Sequence, residues 1–254
     1  MFDRRKFLLG GTALALSGCK VFDSATDGDS TLRKVFASHE GLTRTAQRAV
    51  IGDRLAPEFS EADIRQGQHP NGSVNPDGGE YRRMAETGFA DYRLTVTGLV
   101  DAPQSLSLRE LTALPSRTQI TRHDCVEGWS CIAKWQGVPL GTVLKLAQPK
   151  VTARYAVFHC FDAIERSLSG EVFYYESIDL IDAFHPQTIL AYAMNGAPLP
   201  VANGAPLRLR VERQLGYKMA KYVHTIELTD SLAALGYGKG SYWADRGYEW
   251  YAGI

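Results

Sequence analysis

Arg122-His123-Asp124-Cys125-Val126-Glu127-Gly128-Trp129-Ser130-Cys131, followed by Trp135-Gln136-Gly137-Val138-Pro139-Leu140, is the most unusual stretch of the chain. The run from Thr118 to Val126 reads as a strand, so Cys125 falls at a strand end with Arg122 and His123 beside it. Two neighbouring cations would favour the thiolate. A thiolate is the soft ligand that thiophilic metals take. The plain alternative is that Cys125 is a small buried hydrophobe, as most free cysteines are. Zinc is disfavoured, because five and then twenty-eight residues separate Cys125, Cys131 and Cys160, and no pair has a zinc-site spacing. Covalent haem is excluded, since no Cys-x-x-Cys-His is present.

A second stretch lies downstream, Asn203-Gly204-Ala205-Pro206-Leu207-Arg208-Leu209-Arg210-Val211, with Gln214-Leu215-Gly216-Tyr217-Lys218-Met219-Ala220-Lys221 after it. Arg208, Arg210, Arg213, Lys218 and Lys221 gather positive charge beside glycine turns. Arg by its fork and Lys as a point charge suit a phosphate or another anion. The plain alternative is a solvated cationic strand edge. Neither Gly-x-Gly-x-x-Gly nor a P-loop occurs, which disfavours a Rossmann or P-loop nucleotide.

Outward from these stretches, Tyr92–Val100 alternates as a strand. Ser107 and Glu110 have capping-box spacing for a helix ending before Pro115. Pro139–Ala147 reads as a short helix with proline at its start. Tyr155–Phe161 is an unbroken apolar strand, and Leu207–Val211 and Tyr222–Leu228 are later strands. Glu58 to Ala90 is weakly periodic and rich in Gly, Asn, Pro and Asp, so a long ordered loop is expected. Strands outnumber long helices, which makes the class α+β with a mixed, mostly-β core and short helices.

The 254 residues carry 28 Lys+Arg and 28 Asp+Glu. That balance argues against a nucleic-acid partner. Four cysteines cannot form a disulfide scaffold. Arg4-Arg5-Lys6 precedes about ten weakly apolar residues, too few to span a bilayer of about 30 Å. The run resembles a twin-arginine export signal, and Leu16-Ser17-Gly18-Cys19 resembles a lipobox whose cysteine would be acylated. Expected boundaries are a signal over 1–18, a tether and N-terminal segment over 19–57, and one domain over 58–254. Removing 1–18 takes away Arg4, Arg5, Lys6 and Asp3 and leaves the charge near neutral. Twin-arginine export carries folded proteins, so a cofactor inserted before export is expected. Three cysteines then stay, an odd number that leaves at least one thiol unpaired within the chain.

The Cys125–Ser130 and Trp135–Leu140 blocks, Asn203–Arg208 and Gly216–Lys221 together resemble the sulfite-oxidase-type molybdopterin proteins, in the bacterial branch that includes the periplasmic protein-methionine-sulfoxide reductases. The resemblance runs in order from about Asn71 to about Leu228. It implies an oxidoreductase with one molybdenum, one molybdopterin dithiolene and Cys125 as protein ligand. It also implies that Asn203 and Arg208 contact the pterin or its phosphate, and that Met219, Ala220 and Lys221 serve the same end. Asn71, in the irregular Gly67–Gly79 loop, is a looser candidate. Cys160 stands where the reductase has Thr, so only a backbone contact would survive there; Cys131 has no role in the family pattern. Arg122 and a protonated His123 are candidates to face an anionic or sulfoxide-type substrate.

The resemblance further implies oxygen-atom transfer. The chain has no haem or iron–sulfur ligand set, so electrons are expected from a separate haem-containing partner, with the enzyme periplasmic and lipid-anchored. Sulfite oxidases of the family usually carry a further dimerisation domain, and only about 26 residues follow Leu228; a monomeric reductase of small-molecule or protein sulfoxides is therefore expected. A sulfite-oxidising enzyme, a thiol-redox protein using Cys125 and Cys131, and a non-catalytic lipoprotein are the alternatives. The aromatic tail Gly240–Tyr251 either folds over the cofactor mouth or simply docks on the core.

Overall fold

Leu94 and Val96 are fully buried, as the alternation from Tyr92 requires, in strand β1 (Arg93–Gly98). β1 pairs antiparallel with β2 (Gln104–Ser107), and the chain then enters helix α2 (Leu108–Ala113). The capping box is formed: Ser107 Oγ accepts from Glu110 N at 3.2 Å while Glu110 Oε2 accepts from Ser107 N at 2.8 Å. Two of the helix's orphan backbone donors are thereby satisfied. An earlier helix, α1 (Gly79–Glu86), lies inside the segment expected to be an irregular loop. Tyr81 is its one buried side chain, so almost no apolar periodicity marked it in the sequence.

A computed structural model describes residues 41–254 apart from 51, 66, 168 and 169. The segment expected to be an export signal, Cys19 and the part of the expected tether up to residue 40 lie outside the described residues. Two compact units divide at Gly52 and Asp53. Residues 41–50 of the first unit are helical; the second carries everything below.

Its first sheet has the order β2-β1-β10-β5-β6, in which β5 is Tyr155–Ser167, β6 Gly170–Asp179 and β10 Val223–Thr229. β1 and β10 run parallel and the other neighbours antiparallel. The second sheet joins β3 (Arg117–Asp124), β4 (Ser130–Pro139), β7 (Ile189–Met194) and β8 (Ala197–Pro198), with β9 (Arg208–Arg210) on β7. Helix α3 (Leu140–Ala147) has Pro139 as its N-cap and buries Val143 and Leu144; α4 (Leu180–Ala183) follows β6. Leu94, Val96, Leu111, Leu144, Phe158 and Ile226 meet in one core. Truncating such a leucine to alanine costs about 2–5 kcal/mol. Ala133, Trp135, Ile189 and Ala191 form a second, smaller core under β9. The class is α+β with a mixed, mostly-β core.

Candidate active site

β3 and β4 form a hairpin in which Asp124 pairs with Ser130. Its loop is closed by Cys125 N donating to Trp129 O at 3.0 Å and Gly128 N to Cys125 O at 3.1 Å. The ladder therefore ends where the thiol begins. Cys125 opens onto a cavity of about 140 Å³. Asn71, Gly72 and Ser73 line one side of it, and Asp162, Met219 and Lys221 complete a polar end. Val126, Glu127, Ile164, Tyr174, Gly216, Tyr217, Trp243 and Tyr248 line the rest, and of these Val126, Glu127 and Tyr248 are exposed.

The two side chains expected to activate the thiol do not do so. Arg122 is exposed and its Nε donates to Asp124 at 2.9 Å. His123 is 1% exposed, and burial together with Arg210 holds its pKa well below the usual value, so it is neutral at pH 7. Its Nδ1 faces Arg210 Nη1 at 2.9 Å and its ring stacks at 5.3 Å on Trp129. The charge beside the thiol is instead Glu127, whose Oε2 is 3.7 Å from Sγ and also accepts from the Trp129 indole at 2.9 Å. Burial and Glu127 push the Cys125 thiol upward, away from a free thiolate. Alternation along β3 is the physical reason: His123 points inward and Arg122 outward.

The cationic stretch is buried, and so is not a solvated strand edge. Arg208, Arg210, Arg213, Lys218 and Lys221 are each at most 7% exposed. Three have carboxylate partners: Arg210 with Glu212 at 2.6 Å, Arg213 with Asp182 and Lys218 with Glu176 at 2.5 Å. Arg208 and Lys221 have none among the described residues. Arg208 donates to the carbonyls of Asn203 at 2.9 Å and Met219 at 3.4 Å, and its buried Nε finds no acceptor. Lys221 Nζ donates to the carbonyls of Asn71 at 2.6 Å, of Ala202 at 3.1 Å and of Ser73. Burial, then the neighbouring Arg210, lowers Arg208 to about 9. Burial, then Arg208, lowers Lys221 to about 7. Both guanidinium groups of Arg208 and Arg210 stack on Trp135, at 5.0 and 4.4 Å from the ring centre. Such contacts are worth about 0.5–2 kcal/mol each.

Two glycines set this geometry. Gly204 has φ +113, and a Cβ there would meet Arg208 Cβ at 3.1 Å and Lys221 Cβ at 3.0 Å. A Cβ on Gly216 would collide with the His123 imidazole and lie 3.2 Å from the Asp124 carbonyl. Tyr222, next to Lys221, has φ 58, a region rarely occupied by a bulky residue. Its hydroxyl donates to Ser73 O at 2.8 Å and its carbonyl accepts from Phe161 N at 3.0 Å, which holds the turn that aims Lys221 at the Asn71–Ser73 loop.

Of the residues expected from sequence, Cys125, Asn71, Met219 and Lys221 line one cavity. Asn203, Arg208 and Ala220 are buried behind it; Ala220 O accepts from Leu209 N at 2.8 Å. Cys160 is not among the lining residues: its thiol is fully buried in the core and pushed well above its usual pKa by that burial. Asp162, two residues on along β5, does line the cavity. It is 4% exposed, its Oδ1 has no hydrogen-bond partner among the described residues, and burial raises its pKa to about 6. An aspartate interrupting an apolar strand was the available signal for it. Glu127 was visible inside the cysteine block; Trp243 and Tyr248 depend on where the tail docks. Cys125, Cys131 and Cys160 are all free thiols.

An oxidoreductase molybdopterin binding domain model matches residues 82–234. The chain belongs to that family. A proposed protein-methionine-sulfoxide reductase subunit, YedZ1, from Azospira oryzae is 36% identical over 99% of this chain and 86% of its own length. The MsrP catalytic subunit of a protein-methionine-sulfoxide reductase from Xanthomonas axonopodis pv. citri is 38% identical over 91% of this chain and 71% of its own. The crystal structure of the sulfane dehydrogenase SoxCD from Paracoccus pantotrophus aligns with a TM-score of 0.48 and 22% identity over 56% of this chain and 39% of that one, a likeness too slight to carry weight. This is an enzyme, a molybdopterin-binding oxidoreductase. The residues present fit such a group: two buried cations without carboxylates and an orphaned guanidinium Nε suit an anionic phosphate, and a thiol faces the same cavity.

Proposed function

We propose that the protein holds one molybdenum through a single molybdopterin and the Cys125 sulfur, and reduces sulfoxide-type substrates in the bacterial cell envelope with electrons from a separate haem-containing partner. The observation that carries this reading is the pairing, on one cavity, of the Cys125 thiol with Lys221, backed by Arg208, neither cation forming an ion pair with a carboxylate among the described residues. Relatives named as protein-methionine-sulfoxide reductase catalytic subunits support the substrate class and a separate electron-supplying subunit. The N-terminal Arg4-Arg5 run and Cys19 support export by the twin-arginine route and a lipid anchor.

When bound, the molybdenum centre supplies the two-electron, oxygen-atom-transfer chemistry, and the protein positions and tunes it. Arg208 and Lys221 would hold the anionic end of the cofactor, Arg by paired donors and Lys by charge. Gly204 keeps the backbone clear between them. Cys125, a thiol with raised pKa, would hold the metal as its thiolate, since a bound cation favours the deprotonated sulfur. Asp162 holds a proton below about pH 6 at the polar end of the cavity, where a leaving oxygen needs protons to become water. Neutral His123 acts from behind the loop, fixing Trp129 by ring stacking and, through Trp129, Glu127.

Metal analysis of protein expressed with molybdenum tests the reading, coupled to a screen of sulfoxides, N-oxides and sulfite with artificial electron donors and acceptors. About one molybdenum per chain and sulfoxide reduction are expected, with Cys125→Ser abolishing the molybdenum redox signal. A metal-free protein would overturn the cofactor, and sulfite oxidation without sulfoxide reduction would overturn the direction.

A further inference from the structure

The aromatic tail flagged in the sequence does two things. It docks on the core: Ala252 O accepts from Leu215 N at 2.9 Å and Arg213 O from Ile254 N at 3.1 Å. It also places Trp243 and Tyr248 on the wall of the Cys125 cavity. Their rings are 5.1 Å apart and tilted by 46°, and Tyr217 meets Tyr248 edge-on at 5.2 Å. Tyr248 is 40% exposed and Val126, which lines the same cavity, 43%, so these apolar groups form a rim and are not part of the interior.

The rim is held rigidly. Asp245 accepts from Tyr237 N at 2.8 Å, Lys239 N at 2.9 Å and the Tyr175 hydroxyl. Arg246 donates to Glu165 at 2.7 Å while lying 3.6 Å over the Tyr242 ring, and Tyr217 Oη donates to Glu249 O at 2.7 Å. Tyr248 N closes the turn on Trp243 O at 3.0 Å. A tail that merely docked would not need its two cavity-facing rings fixed from both sides. Preorganised aromatic surface at a reaction mouth lowers the cost of ordering a ligand.

We infer that Trp243 and Tyr248, with Val126, are specificity residues that grip the alkyl arms and sulfur of a methionine-sulfoxide side chain presented by a peptide. This deepens the sulfoxide-reductase reading and rests on it. The occupant follows from the chemistry of the wall. The rim offers ring faces, a valine and the Glu127 carboxylate and, among the described residues that line it, no cation, which suits a neutral, polarisable thioether-like group and disfavours an inorganic oxyanion. Sulfur against an aromatic ring and burial of its methylenes are both favourable. The polar S=O end points inward by default, toward Cys125 and Asp162, and the peptide stays outside the exposed rim.

The test uses the molybdenum-loaded full chain, a methionine-sulfoxide peptide and dimethyl sulfoxide as substrates, and the variants W243A, Y248A, W243F and Y248F. For the peptide, KM should rise about tenfold in each alanine variant with kcat within about twofold, and the phenylalanine variants should recover most of it. For dimethyl sulfoxide, which is too small to span the rim, kcat/KM should change by less than about threefold. Molybdenum content should be unchanged in all four. Equilibrium binding of the peptide, measured by calorimetry, should weaken by the same factor as KM. Equal losses for both substrates, an unchanged peptide KM, or loss of molybdenum from the variants would overturn the inference. If the wild type reduces no sulfoxide yet binds the peptide through these two rings, the reductase reading falls and the rim stands.

Discussion

Five buried cations between Arg208 and Lys221 fall into two groups. Arg210, Arg213 and Lys218 each form an ion pair with a carboxylate, whereas Arg208 and Lys221 form none among the described residues: their hydrogen bonds go to backbone carbonyls, and Asp162 acts on Lys221 only through space. They share one stretch of chain and one degree of burial, so sequence position and exposure do not separate them. The partner does. A buried charge with its counter-ion inside the fold is part of the scaffold, and one without it is costly until an outside anion arrives. The paired group is therefore costly to break in the cofactor-free chain, and the unpaired group is the one proposed to hold the anionic end of the cofactor.

The largest expected effect breaks the paired group. Glu212→Gln and Glu176→Gln should each lower the unfolding free energy by about 3–5 kcal/mol in urea titrations, because Arg210 or Lys218 is left buried and uncompensated. Arg208→Gln and Lys221→Met should stay within about 1 kcal/mol in the cofactor-free chain, or stabilise it. Equal costs across the two groups would erase the distinction. Next in size is Gly216→Ala, expected to cost about 1–3 kcal/mol by displacing the buried His123 ring, read as a shifted thermal midpoint.

A pH series sharpens the comparison through a signal that is small over any one pH unit. Lys221 titrates near 7 in the folded cofactor-free chain against its ordinary 10.5, so between those values the unfolded state binds more protons. Stability should then rise with pH from about 7 to about 10.5, by at most about 1.4 kcal/mol per unit. Lys221→Met should flatten that slope, and an unchanged slope would assign it to another group. Smallest of all is Cys131→Ser: molybdenum loading is unaffected and stability falls by about 1 kcal/mol, since a hydroxyl replaces a buried thiol. Loss of molybdenum signal equal to that from Cys125→Ser would favour thiol redox chemistry instead.

Much of the fold was legible because its signals are local. Ser107 and Glu110 cap α2, Pro139 starts α3, and Leu94 and Val96 alternate, each within a few residues. Helix α1 was missed because one buried tyrosine makes no period. At the site, Cys125 and the cationic stretch could be found by residue type and spacing. The electrostatics could not: flanking Arg122 and His123 suggested a favoured thiolate, but strand alternation turns one to solvent and buries the other neutral. Which cations are paired depends on Asp182 and Glu176, more than thirty residues away in the chain. The roles of Trp243 and Tyr248 depend on how the tail docks, which no local pattern encodes.

Cofactor retention by the two unpaired cations is tested most directly by the molybdenum and pterin content of the Arg208→Gln/Lys221→Met double variant, set against the wild type and a Cys131→Ser control. The prediction is about one molybdenum per chain in wild type and control, and less than about a tenth of that in the double variant with its fold intact by circular dichroism. Full loading of the double variant would show that these two unpaired cations do not hold the cofactor, and would contradict the account.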